Sequence, residues 1–554
     1  MPIKPQTSVD GKIFGIWRDA GPADAFVAGF PGYAGRVFIP SPENIDGLRK
    51  RIGTAQFHCE TESQRKLLAC MDTYLSAIEP ASIPGGIVDT IFAHMIKEGI
   101  KVNHMTSLAE YGKKALRTYL ETNKQRDWPI GLKLLATIRC DGLFEILNVV
   151  RSNTRSRALK DEADELLAEA KNFQKHVRVE GFSKGSFDEV WKIIRERGCA
   201  LDRQEIYPRA LHDLYDYPET PTQVEEKGLR FLENELSDYN NLVRELSEKL
   251  GCEARSEAVT QAIKDRKSMK PRKMIQFINK IRRLIVKIVD KRIVAVNPKY
   301  FTRVIETPPY LSGVIPSGAA FFLDFLTRSP RQFFLATTDP KRDPHTVPSE
   351  LINLLVHEEY GHCLHSSNSA LGYGAKPDFV DMLSSTLGGA VSEGISFQRE
   401  LEFLDYLGSF PGEKTQTKEE RSFVKLCGSL GGFEEVRKEY DFFTKTWRMT
   451  RFLRVIGDAR INSGKQELAD FIDWANMKTG LSKSMVYFQV FPAHQSIGPG
   501  YATTYAIIGE SIREIQKAAV SAGKDFVKFN TYACSQGFPP RTVWESRLWE
   551  FVKS

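Results

Sequence analysis

The chain has 554 residues, of which 42% are hydrophobic and 27% are charged, and its formal net charge is +7. This is the composition of an ordinary globular protein with length for a large core, built as two or three domains or as one large helical enzyme. No apolar run approaches the roughly 18 to 20 residues that span a membrane, so we expect no membrane partner.

The first ten residues are polar and contain no apolar segment, so a secretory signal is not expected. The eight cysteines are scattered along the chain, and no two of them have C-x-x-C spacing. In a chain of this length they indicate reduced thiols, and we therefore predict a cytoplasmic protein.

Amphipathic helices are predicted along most of the chain. Apolar residues recur at helical spacing from Leu159 to Phe173, for example. Prolines then cluster between Tyr207 and Pro221, which is typical of a linker. We place a boundary there, between an N-terminal helical lobe (residues 1–220) and a second helical lobe (residues 221–554).

The clearest helix begins the second lobe. Its apolar residues alternate steps of three and four: Leu229, Leu232, Leu236, Tyr239, Val243, Leu246 and Leu250. Thr222 and Glu225 are predicted to form its capping box, and Gly251 is predicted to end it. Such a stripe is typical of a helix seam in a large bundle and says nothing about function.

The segment from Arg255 to Arg292 is strongly basic. It holds 13 lysines and arginines against three acidic residues, a charge of +10 that leaves −3 for the rest of the chain. A basic helix can bind nucleic acid or draw acidic substrates toward a groove. Regularly spaced isoleucines favour a solvated helix face instead, so nucleic acid is not expected as a partner. These isoleucines are Ile275, Ile278, Ile281, Ile285 and Ile288.

Two short aromatic segments, residues 318–324 and 332–337, are bounded by Gly, Pro and Asp. They predict strands of a small sheet, at about residues 318–337. An edge strand of such a sheet can hold an extended peptide through backbone hydrogen bonds.

The stretch His357-Glu358-Glu359-Tyr360-Gly361-His362 is the most informative part of the chain. Two histidines to bind a metal and a glutamate to accept a proton from water are what a hydrolytic zinc site needs. The familiar motif is H-E-x-x-H, but here the histidines are at i and i+5, about 140° apart on an α-helix. A π-bulge near Tyr360-Gly361 would bring them to one ion.

A helix is predicted around this motif, with Thr346 as its N-cap and Pro348 in its first turn. Glu393 is the predicted third ligand, because it lies in a segment of apolar and small residues where an unpaired carboxylate would be costly. A buried Glu393 neutralised by Lys or Arg is the alternative. His365, three residues beyond His362, is a candidate for a supporting role.

These motifs resemble the bacterial and archaeal family catalogued as domain of unknown function 885, which is related in fold to the gluzincin-like Taq-type metallocarboxypeptidases. The family motifs are H-E-x-x-P-G-H, E-G-x-x-x-x-x-E and P-G-Q-A-x-x-Y-x-x-G. Here they correspond to 357–362 without the proline, to 393–400, and to 499–509 with Tyr501 in place of the glutamine. The resemblance covers roughly residues 300–550.

The resemblance implies a mainly α, large two-lobed helical fold, with a deep groove and a small sheet beside the zinc helix. It implies one zinc ion per chain, held in the second lobe by His357, His362 and Glu393, with Glu358 as the general base. Tyr505 would correspond to a tyrosine that stabilises the developing oxyanion; its alternative role is helix packing.

Three residues are candidates for substrate binding: Tyr501, His494 just ahead of the third motif, and Arg541. A carboxypeptidase needs a cation for the terminal carboxylate of its substrate. Further cations that could serve are Arg460, Lys465 and Arg547.

We therefore predict a zinc-dependent hydrolase, a carboxypeptidase-like metallopeptidase acting on a peptide or peptide-like substrate, with a homodimer left open. One alternative is a different metalloenzyme on the same scaffold, because Glu359-x-x-His362 is also the E-x-x-H unit of di-iron bundles. The other alternative is a metal-free helical binding protein.

Overall fold

The structure is a computed structural model that describes residues 4–179, 182, 187–308, 315, 318–327, 329–338 and 346–554. It confirms the predicted mainly α fold with a small sheet. None of the helices in these ranges combines the length and the apolar character needed to cross a bilayer.

The helices of the first 220 residues are α1 (Ser8–Ala20), α2 (Pro22–Ala28), α3 (Pro42–Gln56), α4 (Glu62–Ser76), α5 (Ser82–Glu98), α6 (Val102–Thr122), α7 (Ile130–Asn153), α8 (Arg157–Val177), α9 (Phe187–Arg197) and α10 (Tyr207–Tyr215). Those that follow are α11 (Pro221–Leu250), α12 (Ser256–Lys267), α13 (Pro271–Val289), α14 (Pro348–Leu355), α15 (Leu364–Leu371), α16 (Thr386–Gly408), α17 (Lys418–Gly428), α18 (Phe433–Asn462), α19 (Leu468–Thr479), α20 (Lys483–Val490), α21 (Thr504–Ser521), α22 (Phe526–Ala533) and α23 (Arg541–Lys553). Single 3₁₀ turns lie at Pro31–Tyr33, Val380–Met382, Glu413–Thr415 and Tyr501–Thr503, and a π-helix at Val356–Cys363 joins α14 to α15.

Helix α11 carries the predicted apolar stripe. It buries Leu232, Tyr239 and Leu246 and packs along α18. Gly251 ends the helix as predicted, with a φ of 68° that suits glycine. The two longest described helices, each of 30 residues, are thereby joined by an apolar seam.

The predicted capping box of α11 is wrong by two residues. The helix begins at Pro221, so the box is formed by Thr220, whose hydroxyl accepts from the Gln223 backbone N–H at 3.3 Å. Both pairs fit the capping pattern, and the proline decides between them because it suits the first helical position. Glu225 is left free to pair with cations of α18 and the turn beyond it.

The basic segment forms α12 and α13. Helix α13 buries Ile278, Ile281, Ile285 and Ile288, which confirms the predicted apolar face, while Ile275 is only partly buried. Most of its cations face outward, but Arg282 turns in and forms an ion pair with the buried Glu359 of the π-helix.

The strands are β1 (Thr302–Glu306), β2 (Gly318–Leu323) and β3 (Arg331–Ala336), in the order β1-β3-β2. Strands β2 and β3 confirm the two predicted strands and pair antiparallel, with Phe321 opposite Phe333. Strand β1, which pairs parallel to β3, was not predicted. Strand β2 is an edge of this sheet and lies against the π-helix.

The apolar core is one contiguous cluster that runs from α1 to α23, on both sides of residue 220. Polar contacts also cross this point, since the Trp17 indole donates to the Ser384 carbonyl at 2.8 Å and Arg203 donates to the Gln495 carbonyl at 2.9 Å. The division into two lobes at residue 220 stays a prediction.

Helix α14 begins at Pro348, and its N-cap is Val347, which offers no capping side chain. The predicted Thr346 cap is therefore wrong. The Thr346 hydroxyl lies 3.0 Å from that of Ser268, because the chain before α14 packs against the end of α12.

The π-helix is the wide turn that the histidine spacing predicted, extended over eight residues. Because its hydrogen bonds run from i to i+5, residues five apart lie nearly above each other. Gly361 brings this helix directly onto α16. A Cβ at this position would lie 2.6 Å from the Ser396 Cβ and 2.7 Å from the Ser396 Cα.

We expect Gly361→Ala to lower the free energy of unfolding by about 2 kcal/mol, because the added methyl must push the π-helix away from α16. Gly53→Ala is the control, since a Cβ there meets no atom within 4 Å and alanine favours the helix. Urea unfolding followed by circular dichroism measures both. Equal stability of the two variants would contradict the close approach.

Candidate metal centre

Three predicted ligands meet at one point. The rings of His357 and His362 project from the same side of the π-helix, with centroids 5.0 Å apart. Helix α16 places Glu393 opposite them, with its Oε2 3.6 Å from the His357 Nε2 and 3.3 Å from the His362 Nε2. The three candidate ligand atoms lie within 4.8 Å of one another.

The donor atoms fit a metal ion. The Oε2 of Glu393 is buried and accepts no hydrogen bond, which is costly for a carboxylate oxygen unless a cation takes that place. Ligand atoms of a tetrahedral zinc site lie about 3.3 Å apart, because each bond is about 2.0–2.1 Å long. The group could therefore hold a metal ion with little rearrangement.

Each histidine is held through its other ring nitrogen. The His357 Nδ1 lies 2.7 Å from the Glu400 Oε1, and Arg451 donates to the same carboxylate at 2.8 Å. The His362 Nδ1 lies 2.9 Å from the Ser392 hydroxyl. Such partners fix the ring orientation of metal-binding histidines, and here they leave both Nε2 atoms facing the carboxylate of α16.

The charges around His357 favour a cation. Burial alone would raise the pKa of Glu400, but Arg451 and His357 outweigh it and lower that pKa to about 2. Burial would likewise lower the pKa of His357, but Glu393 and Glu400 outweigh it and raise that pKa to about 9. The position between these carboxylates thus attracts positive charge.

The Glu358 side chain reaches strand β2 beside the metal group. Its Oε2 accepts a hydrogen bond from the Ala320 backbone N–H of β2 at 2.7 Å. Burial raises the pKa of its carboxyl above the ordinary value of 4.5. A carboxylate with a raised pKa is a better proton acceptor, which suits a general base.

A cavity of about 480 Å³ opens beside the metal group and Glu358. Strand β2 forms one wall with residues 318–320, and most of the remaining lining is apolar or carries hydroxyl groups. The large apolar residues are Ile315, Phe322, Phe325, Ile497 and Phe538. Of the described lining residues, only Glu358 and Glu393 are acidic, and none is Lys or Arg.

Two of the predicted tyrosines line the same cavity. The Tyr501 hydroxyl donates to the Glu393 Oε1 at 2.6 Å and lies 3.4 Å from the Tyr505 hydroxyl. The Tyr505 ring stacks on His357, with centroids 6.3 Å apart. His494 stacks behind Tyr501 at 5.8 Å, outside the cavity lining, and burial holds its pKa well below 6.5.

Arg541 is not brought into this site. It forms ion pairs with Glu219 at 2.8 Å and with Glu545 at 2.7 Å, and it is absent from the cavity lining. The other three cations considered for a terminal carboxylate are paired as well. Those ion pairs are Arg460 and Lys465 with Glu225, and Arg547 with Asp378 and Asp381.

Arg454 is a cation that the sequence analysis missed. Its guanidinium carbon lies 5.0 Å from the Tyr505 ring centroid, and it donates to the Gln489 side chain. No described carboxylate forms an ion pair with it, and burial lowers its pKa to about 10. The signal was an arginine inside the apolar stretch 452–456 of the sequence.

Glu359 is separate from the metal group. It is buried and accepts hydrogen bonds from Arg282 at 2.9 Å and from the Tyr300 hydroxyl at 3.3 Å. His365 contacts the metal group indirectly, since its Nδ1 lies 3.3 Å from the Ser392 hydroxyl that also lies beside His362. The E-x-x-H step that suggested a di-iron bundle therefore does not converge on one ion.

A second acidic and histidine group lies in the N-terminal half, at His94, Glu98 and His104. The sequence analysis missed it, although His94 and Glu98 are one helical turn apart. Both nitrogens of His94 are already engaged, one by the Gly35 N–H at 2.8 Å and one by the Thr90 carbonyl at 2.9 Å. A metal there would have to displace a backbone hydrogen bond.

No family model matches this chain, and no curated protein matches it significantly. Among solved structures, a protein from Colwellia psychrerythraea described as a candidate lipoprotein matches with a TM-score of 0.67 and 13% identity, covering 99% of each chain. A candidate lipoprotein of unknown function from Shewanella oneidensis matches with a TM-score of 0.64 and 15% identity, covering 98% of each chain.

The chain also matches an M32 carboxypeptidase from Deinococcus radiodurans R1 over 99% of its own length and 100% of the other, at 12% identity. The TM-score of 0.36 is too low for this match to carry an argument. What these comparisons establish is the fold, a helical architecture shared along the whole chain with the two candidate lipoproteins.

Proposed function

We propose that the protein is a zinc-dependent hydrolase, a carboxypeptidase-like metallopeptidase akin to the domain of unknown function 885 family. One observation carries the proposal: His357, His362 and Glu393 converge beside Glu358 on the wall of a cavity. A purely structural zinc would need a fourth protein ligand and no adjacent base.

Zinc suits this donor set of two imidazole nitrogens and one carboxylate oxygen, and three protein ligands are typical of its catalytic sites. When bound, zinc would supply a Lewis acid that polarises a carbonyl and makes water acidic. The residues of the chain would transfer the proton and stabilise the developing negative charge.

Glu358 would accept the proton of the attacking water and then deliver it to the leaving amine. Tyr505 would donate a hydrogen bond to the substrate oxygen as negative charge develops on it. Burial raises the pKa of Tyr505, so its hydroxyl keeps the proton that such a donor needs.

The surroundings support a peptide with an apolar side chain as the substrate. The outer edge of β2 offers backbone groups to an extended peptide, and the cavity beside Glu358 is lined largely by aromatic and aliphatic side chains. The carboxypeptidase type rests on the resemblance of the three motifs, since none of the described residues that line the cavity is the cation that a terminal carboxylate needs.

The first test is metal content. Purified protein should contain about one zinc per chain by mass spectrometry, and Glu393→Ala should lose it because two histidines alone hold zinc weakly. Glu358→Gln should keep the zinc but lower the hydrolysis rate by about 10²- to 10⁴-fold. The exposed His176→Ala is the control and should change neither. If the wild-type protein bound no metal after zinc loading, the proposed hydrolase would be wrong and the alternative of a metal-free binding protein would remain.

The second test is substrate preference. Peptides with Phe or Leu beside the scissile bond should be cleaved at least about tenfold faster than peptides with Lys or Glu there, because a charge would be desolvated in the cavity. Phe322→Ala should reduce this preference, while Phe57→Ala, at a 90% exposed residue, should not. Measured kcat/KM values that are equal for both peptide classes would refute an apolar subsite.

A further inference from the structure

The two oxygens of Glu393 have different partners. Its Oε1 accepts a hydrogen bond from the Tyr501 hydroxyl at 2.6 Å. Its Oε2 accepts none and lies 3.3 Å from the nearer histidine nitrogen. The phenol thus bonds to one oxygen, and the other oxygen is the one that faces the histidine nitrogens.

Tyr501 is itself held firmly. It begins a 3₁₀ turn directly after Gly500, whose φ is 94° and whose N–H donates to Asp458 at 3.0 Å. A Cβ on Gly500 would lie 2.8 Å from the Tyr215 ring, so the backbone approaches that ring as closely as glycine allows. The His494 ring stacks on the Tyr501 ring, with centroids 5.8 Å apart. The hydroxyl therefore has a defined position.

The hydroxyl is also a lasting donor. A phenol keeps its proton at neutral pH, so the hydroxyl can donate to the carboxylate. A hydrogen bond from a neutral donor to a carboxylate is stronger than one between neutral groups. A metal bound through both oxygens would compete with this hydrogen bond for the lone pairs of the Glu393 Oε1.

We infer that Tyr501 is a positioning residue that makes Glu393 bind the metal through one oxygen only. This inference rests on the proposed function. A carboxylate that bound through both oxygens would take up an additional coordination position, which a catalytic site keeps for water and substrate. Tyr501 was predicted as a substrate-binding residue; here its hydroxyl acts on a ligand instead.

The test uses Tyr501→Phe in the full-length protein, with Tyr505→Phe as the matched variant that removes a hydroxyl from the same cavity. Zinc affinity is measured by competition with a chelator, and zinc coordination by X-ray absorption. We expect Tyr501→Phe to weaken zinc binding about 10- to 100-fold, as loss of a ligand's supporting partner typically does. We also expect one more oxygen at the metal. Tyr505→Phe should leave affinity and coordination unchanged.

Thermal unfolding of the metal-free variants confirms that each has folded before its affinity is compared. Wild-type affinity and coordination in a folded Tyr501→Phe protein, with a change in KM alone, would overturn the inference and return Tyr501 to substrate binding. Absence of zinc binding by the wild type would overturn the proposed function as well, so the two failures are distinguishable.

Discussion

Two histidines five residues apart can face one point only if the helix between them is wound more widely than an α-helix. The π-helix at residues 356–363 meets this requirement, and the rest of the site is arranged around it. Gly361 lets α16 approach closely enough to present Glu393, and the ion pair between Arg282 and Glu359 ties the same helix to α13. Because π-helical turns are rare and occur frequently at functional sites, we expect the reason for this winding to lie in the residues that it places.

The second constraint is the concentration of buried charge. Glu393, Glu400 and His357 lie together with Arg451 in a region almost without solvent contact. Removing such groups from water costs several kcal/mol per ion, and only good geometry offsets it. Arg451 satisfies Glu400, but the Oε2 of Glu393 accepts no hydrogen bond. This unpaired carboxylate oxygen faces the two histidine nitrogens. A cation is therefore the simplest group to complete its interactions.

The sequence predicted the parts of the structure that depend on local chemistry. The wide turn, strands β2 and β3, the apolar stripe of α11 and its end at Gly251 all follow from spacing or from one residue type. The errors arose where distant partners decide. Arg541 was predicted to bind substrate, but it forms an ion pair with Glu219, which lies more than 300 residues away in the sequence. Strand β1 exists because it pairs with β3. The bond between Tyr501 and Glu393 has no local signature. The cytoplasmic location and the homodimer stay predictions.

The hydrogen bond from Ala320 to Glu358 has a consequence for how an extended chain could align with β2. Ala320 is on an outer strand, and its N–H points away from β3, to the side where an added strand would pair. Glu358 accepts a hydrogen bond from this N–H, so one backbone donor of the edge is already used beside the proposed metal centre. A chain that pairs with β2 must form its hydrogen bonds on either side of Ala320 or displace Glu358. The edge thereby favours some alignments over others, so Glu358, the proposed general base, would also help to set the register of a bound chain.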